Sequence, residues 1–255
     1  LLSCEKTIET ATTTPSVQEK LEDAYLGNRV KTLALGLLNL SHQPQFVQSV
    51  NREVALQFDD DDNVLFRKLS AVCASQGRDL AAELQRSVVE HQSAVKAAGH
   101  DYDAYEAFTE VELIQTILEG FHWNDQHYFL QLYIPFVDQV DLTEAPVICF
   151  GHQEVETTIG YRLNAAGAVE ARVVDEAYAK KHLVWIVSIN EVVDASGKLP
   201  VATKDPYVHG LKTLGRSVQV QQVFVNDRKE SWIKGKGEIQ MVAAVLHSWC
   251  GHRKI

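Results

Sequence analysis

The stretch FLQLYI, residues 129–134, decides how this chain is read. It is rich in large apolar and aromatic side chains, has no glycine or proline, and has the length of a strand rather than a helix. The same texture recurs toward the C-terminus at Val147-Ile148-Cys149-Phe150, at Leu183–Ile189, at Val218–Val225 and at Ile239–Leu246. Thr158–Leu163 and Val169–Val174 flank Asn164-Ala165-Ala166-Gly167, the composition of a hairpin turn. Asp194–Gly197, Asp205-Pro206 and Gly235–Gly237 supply further turn signals between these runs.

Toward the N-terminus the period changes. Val30, Leu33, Ala34, Leu37 and Leu38 recur at helical spacing and predict a helix from residue 16 to about residue 40. Ser41–Pro44 is a break, and Pro44 suits the first turn of the next helix. Phe46, Val50, Val54 and Phe58 follow at four-residue steps, an amphipathic stripe. A short helix is predicted from Val64 through Leu65, Leu69 and Val72, ending at Gly77. Leu80–Ala98 reads as a helix with Leu84 and Val88 inward, Gly99–Asp103 as a turn, and Glu106–Leu118 as a further helix or a mixed segment. Helices first and strands second predict an α+β fold. A helical region, 16–119, precedes a β-rich, sandwich-like domain, 120–255, and residues 1–15 stand outside both.

The 255 residues carry a formal net charge of -10. That balance argues against nucleic acid, because phosphate binding needs a basic surface. No run approaches the roughly 18 apolar residues of a membrane-spanning helix. The four cysteines, Cys4, Cys73, Cys149 and Cys250, make no CxxC pair, which argues against a zinc ribbon or a thioredoxin-type motif. Cys73 and Cys149 read as small buried apolar residues.

Leu1-Leu2-Ser3-Cys4 resembles the lipobox that ends a bacterial lipoprotein signal peptide. Cleavage before Cys4 would leave that residue to carry lipid on its sulfur and its amine, with the leucines as the tail of the apolar core. The Thr-rich stretch Thr7–Pro15 then reads as a flexible tether. The alternative is a clipped chain with an ordinary cysteine near its start.

The sharpest local feature is the acidic knot FDDDDNVL, residues 58–65. Asp59, Asp61 and Asn63 alternate as D-x-D-x-N, and short oxygen-bearing side chains in alternation can wrap a hard cation such as calcium. An EF-hand would need glycine where Val64 stands and a closing glutamate where Ser70 stands. The competing reading is a solvated acidic loop that caps the helix expected from Val64.

Among the ten histidines, His122 and His127 bracket HWNDQH, a spacing unlike the H-E-x-x-H of a zinc helix. His247, Cys250 and His252 crowd HSWCGH, where a soft metal could bind. His152, Glu154 and Glu156 would share one face of a strand as an acid/base cluster. Trp123 and Trp249 are candidate aromatic lining for a glycan or peptide, with core packing as the alternative. The chain has no G-x-S-x-G elbow, no Walker loop and no G-x-G-x-x-G.

Several segments in order resemble a family of uncharacterised Bacteroidetes envelope lipoproteins. FDDDDNVL is similar to its F-D-G-D-Y-D-V-L motif, LQLYIPFVDQ to its L-Q-I-Y-I-P segment, LVWIVSINE to a V-I-V-V-x-x-N-E segment and ESWIKGKGEI to an E-x-W-x-x-G-x-x-E-I element. The pieces span roughly residues 45–240. The chain departs at Asp60, Asp62 and Asn63, where the family motif has Gly, Tyr and Asp. Losing that glycine makes a tight ion loop harder to form. The resemblance implies an outer-membrane lipoprotein anchored through Cys4 and no particular activity.

Together these readings predict a lipid-anchored, non-enzymatic envelope module that meets a protein or glycan partner through its β-rich part. The rival expectation is a metal-dependent envelope hydrolase or peptidase using Asp59, Asp61 and Asn63 or a histidine pair.

Overall fold

The computed structural model describes residues 17–59, 61–97, 110–151, 156–199 and Trp232. The lipobox and tether, Asp60, the Gly99–Asp103 turn, His152, Glu154, the runs at 218–225 and 239–246, Trp249 and the HSWCGH cluster all lie outside them.

Helices come first. α1 (Val17–Leu40) carries the predicted apolar stripe. Its C-terminal half is buried nearly all round: Val30, Leu33, Ala34, Leu35, Leu37, Leu38 and Leu40 are all inside. A helix that is apolar on every side belongs in a core, not at a surface. Accordingly α1 lies between α4 (Leu80–Ala97) and the strands β4 (Val147–Phe150) and β7 (Val184–Asn190). Gly36 lets α1 and α4 approach closely, because a Cβ there would stand 2.7 Å from Leu84 Cδ2. Ser87 ties the same two helices, donating to the Leu35 carbonyl at 3.0 Å and accepting from the Asn39 N–H at 3.2 Å.

α2 (Pro44–Val54) opens on the predicted proline and buries Phe46, Val50 and Val54. It stops before Phe58, since Gln57 takes a left-handed φ of 44° that no helix continues.

The helix expected from Val64 begins later. Residues 63–65 form β1 (Asn63–Leu65), paired antiparallel with β3 (Gln126–Tyr133) in the register Asn63↔Tyr133, Val64↔Leu132 and Leu65↔Gln131. α3 (Phe66–Ser75) follows from an extended Leu65. Tertiary pairing with β3 outweighs the local helical pattern here. α5 (Val111–Glu119) buries Ile114, Ile117 and Leu118 and ends just before the boundary at residue 120.

The strands follow in the order expected. β2 (Phe121–Trp123), β3, β4, β5 (Thr157–Leu163), β6 (Val169–Asp175) and β7 join β1 in a mixed sheet. Its order is β1-β3-β7-β4-β5-β6, with β2 paired to β3. The β4–β7 pairing is parallel and the other described pairings are antiparallel. The predicted β5–β6 turn forms around Asn164, whose Oδ1 accepts from the N–H groups of Ala166 (2.9 Å) and Ala168 (3.1 Å). A short helix, α6 (Glu176–Ala179), leads from β6 toward β7.

Alternation sorts the sheet into two faces. Leu130, Leu132, Ile148, Tyr161, Trp185 and Val187 join the helices in one core. Tyr133, Val147, Cys149, Val174, Val184 and Ile186 form a second cluster, against which Phe136, Tyr178 and Trp232 pack. Helices first and a mixed sheet second make the fold α+β, as the sequence predicts. Among the described residues the layer facing the sheet across the main core is helical, where a sandwich would place a second sheet.

Candidate functional site

The second face of the sheet carries polar side chains at its β1 end. The registers Asn63↔Tyr133, Gln131↔Ser188 and Phe129↔Asn190 set Asn63, Gln131, Ser188 and Asn190 on one side of three neighbouring strands. All four are buried. Buried amides need partners, and these find them in a chain. Asn63 Nδ2 donates to both Asp59 carboxylate oxygens at 3.0 Å. Asn190 Nδ2 donates to Asp59 Oδ2 at 3.1 Å and to Gln131 Oε1 at 2.6 Å. Gln131 Nε2 donates to Ser188 Oγ at 3.1 Å. Asn190 Oδ1 accepts from the Val192 and Val193 N–H groups at 3.0 and 2.9 Å, which fixes the orientation of that amide.

Asp61 and Asp62 also serve the loop. Asp61 Oδ1 accepts from the Asp62 N–H at 2.8 Å, and Asp62 Oδ1 accepts from Gln57 Nε2 at 2.6 Å. Tyr133 lies beside them. Burial, and then the negative charges of Asp61 and Asp62, push its phenol well above the usual range, so it stays protonated. The knot does not cap a helix. The residue before α3 is Leu65, with no side-chain cap. The Asp59 carboxylate instead faces the buried amides of the sheet.

The three metal candidates are only partly convergent. Asp59 and Asn63 meet, but Asn63 presents its NH₂ to the carboxylate. Its oxygen, Oδ1, is buried and has no hydrogen-bond partner among the described residues, in a side chain only 2% exposed. Calcium coordination by Asp59, Asp61 and Asn63 would require that amide to turn over. Gln131, Ser188 and Asn190 were not legible as site residues in the sequence. The available signal was a polar residue at alternate positions within otherwise apolar strands.

His122 and His127 are register partners across the β2–β3 hairpin, with ring centroids 4.2 Å apart. The five-residue spacing becomes a cross-strand pair because Asn124 and Asp125 make a two-residue turn with φ of 47° and 62°. Trp123 is half-buried and packs against the main core, its ring stacked on Tyr25 with centroids 3.8 Å apart. A groove of about 740 Å³ between α3, α4 and α5 is lined by Arg67, Ser70, Arg78, Asp79, Gln115 and Glu119, among others. Its Arg78 is engaged by Glu83 and by Gln43 Oε1, the latter at 2.6 Å.

Both described cysteines are reduced and buried. Burial raises both thiol pKa values, that of Cys149 most strongly. At the far margin of the sheet β6 pairs with β5 alone among the described strands, and Val173 on it is 63% exposed. No family model, no curated protein and no solved structure matches the chain.

Proposed function

We propose that this chain is a lipid-anchored, non-enzymatic module of a bacterial cell envelope, held at the outer membrane through Cys4, that meets a protein or glycan partner through its β-rich part. The observation that carries the binding role is the margin of β6. It is the outermost described strand and sets an exposed Val173 between Arg172 and Val174. A strand margin offers backbone donors and acceptors to an incoming extended segment, and an apolar side chain beside them adds burial. The anchoring role rests on Leu1-Leu2-Ser3-Cys4 and the Thr-rich tether.

Two measurements test the two halves separately. Metabolic labelling in a native bacterial host with an alkyne fatty acid should tag the chain and leave Cys4→Ala unlabelled. An untagged wild-type chain refutes the anchor. Photo-crosslinking from position 171, exposed on the same face of β6, should trap a defined envelope partner that Val173→Lys no longer holds. Equal recovery with Val173→Lys refutes the β6 margin as the contact.

Asn63 favours a second reading, a metal-dependent envelope hydrolase or peptidase. Its buried oxygen has no partner, and with the amide turned over that oxygen would join Asp59 and Asp61 at a cation. A chelator-stripped chain titrated with calcium should then melt higher, by about 2.7 kcal/mol of stability at a hundred times the dissociation constant. The gain should vanish in Asp59→Ala/Asp61→Ala. A flat response to calcium, zinc and manganese sinks this reading and leaves the binding module standing.

A further inference from the structure

We propose that His122 and His127 form a two-imidazole site for a divalent transition-metal ion, copper(II) or zinc(II), on the β2–β3 hairpin. The site is independent of the acidic knot and of the β6 margin.

The hairpin brings the two rings together. His122 and His127 are direct cross-strand partners, and their rings stack at 4.2 Å with an interplanar angle of 25°. One ring is already prepared as a ligand. His127 Nδ1 lies 2.7 Å from the Ala195 carbonyl oxygen. A carbonyl can only accept, so Nδ1 carries the proton and Nε2 keeps its lone pair. Metal-bound imidazoles commonly have this arrangement, in which the second ring nitrogen donates to a carbonyl and fixes tautomer and orientation.

Gly120 lies close against the Nε2 side of the ring. A Cβ at that position would stand 2.6 Å from Nε2, and the φ of 108° is one that only glycine adopts readily. His122 is exposed on a three-residue strand, so its ring can leave the stack. It must do so, because stacked rings direct their lone pairs side by side rather than at one point. A metal at about 2.0–2.1 Å from each nitrogen draws His122 round about its side-chain torsions. No cluster of three or more His, Cys, Asp or Glu suited to a metal occurs among the described residues, so water completes the shell. Imidazole donors suit copper and zinc over calcium or magnesium.

The test uses the full chain, stripped with chelator, titrated with copper(II) alone by calorimetry and with zinc(II) alone by calorimetry and by ¹⁵N shifts of the histidine rings. The expected result is one equivalent that moves the Nε2 resonance of His127 and leaves its Nδ1 protonated. His122→Gln should weaken that binding by about tenfold or more. It should leave the metal-free melting temperature unchanged, since the replaced ring is exposed. Acidification should release the ion as protons compete for the nitrogens. Two results overturn the proposal: binding unchanged in His122→Gln, or metal uptake with the His127 Nε2 resonance unmoved.

Discussion

Replacing Asp59 by alanine should expose how much of the fold hangs on one carboxylate. Asp59 accepts from Asn63 Nδ2 at both oxygens and from Asn190 Nδ2 at one. In Asp59→Ala the Asn190 amide keeps Gln131 Oε1 as a partner. Asn63 has no such reserve, because its oxygen already lacks a partner and its side chain is buried. A whole carboxamide is then left without the hydrogen bonds the fold supplied. A buried donor so abandoned costs about 1–3 kcal/mol, and bonds to a charged acceptor sit at the upper end. The expected loss is about 2–3 kcal/mol, read from urea unfolding in the presence of chelator so that no bound ion contributes. At this chain length each kcal/mol lowers the melting temperature by roughly 2–4 °C. Asn63→Ala removes the stranded amide, so Asp59→Ala/Asn63→Ala should cost clearly less than the sum of the single changes. A loss under about 0.5 kcal/mol, the size of an ordinary surface substitution, would refute the reasoning. So would additivity of the two changes to within about 0.5 kcal/mol.

Gly36→Ala should destabilise by about 1–3 kcal/mol, as overpacking does. The added carbon would meet Leu84 Cδ2 at 2.7 Å, Cβ at 2.9 Å and Cα at 3.2 Å, so in a Leu84→Ala background the same change should cost less. Chemical denaturation of the two variants checks this, and a neutral Gly36→Ala would show that the helices part without cost. His91 should make stability fall on acidification. Burial lowers its pKa below 6.5, so the unfolded chain takes up a proton that the native ring refuses. Stability from this group is therefore level above that pH and declines as pH drops below it, and His91→Gln should flatten the decline in unfolding curves at pH about 7.5 and about 5.5. Cys73 and Cys149 should resist a thiol reagent in the native state and both react in denaturant, measured in Cys4→Ser/Cys250→Ser. Native labelling of either at the rate of a free thiol would contradict their burial.

Local signals carried most of the architecture. The stripe in α1, the proline that opens α2 and the Asn164 turn between β5 and β6 each act within a few residues, and each formed where the sequence placed it. β1 was hidden because Asn63-Val64-Leu65 is too short to show a period of its own. Its extended backbone comes from β3, some sixty positions later. The same distance hid the amide cluster. Gln131, Ser188 and Asn190 are unremarkable singly, and only the β1-β3-β7 register makes them neighbours of Asp59. The β2–β3 hairpin escaped because its two left-handed residues are Asn124 and Asp125, with no glycine to announce the turn.

The placement of α1 has a mechanical consequence. This helix is the first described element, and it is also the inner layer between α4 and the sheet. A pull transmitted to Val17 therefore loads the centre of the described fold directly, with no other described element to yield first. The force would peel α1 from its N-terminal end, one turn after another. Resistance should rise sharply once the peeling reaches Val30, where the fully buried run begins.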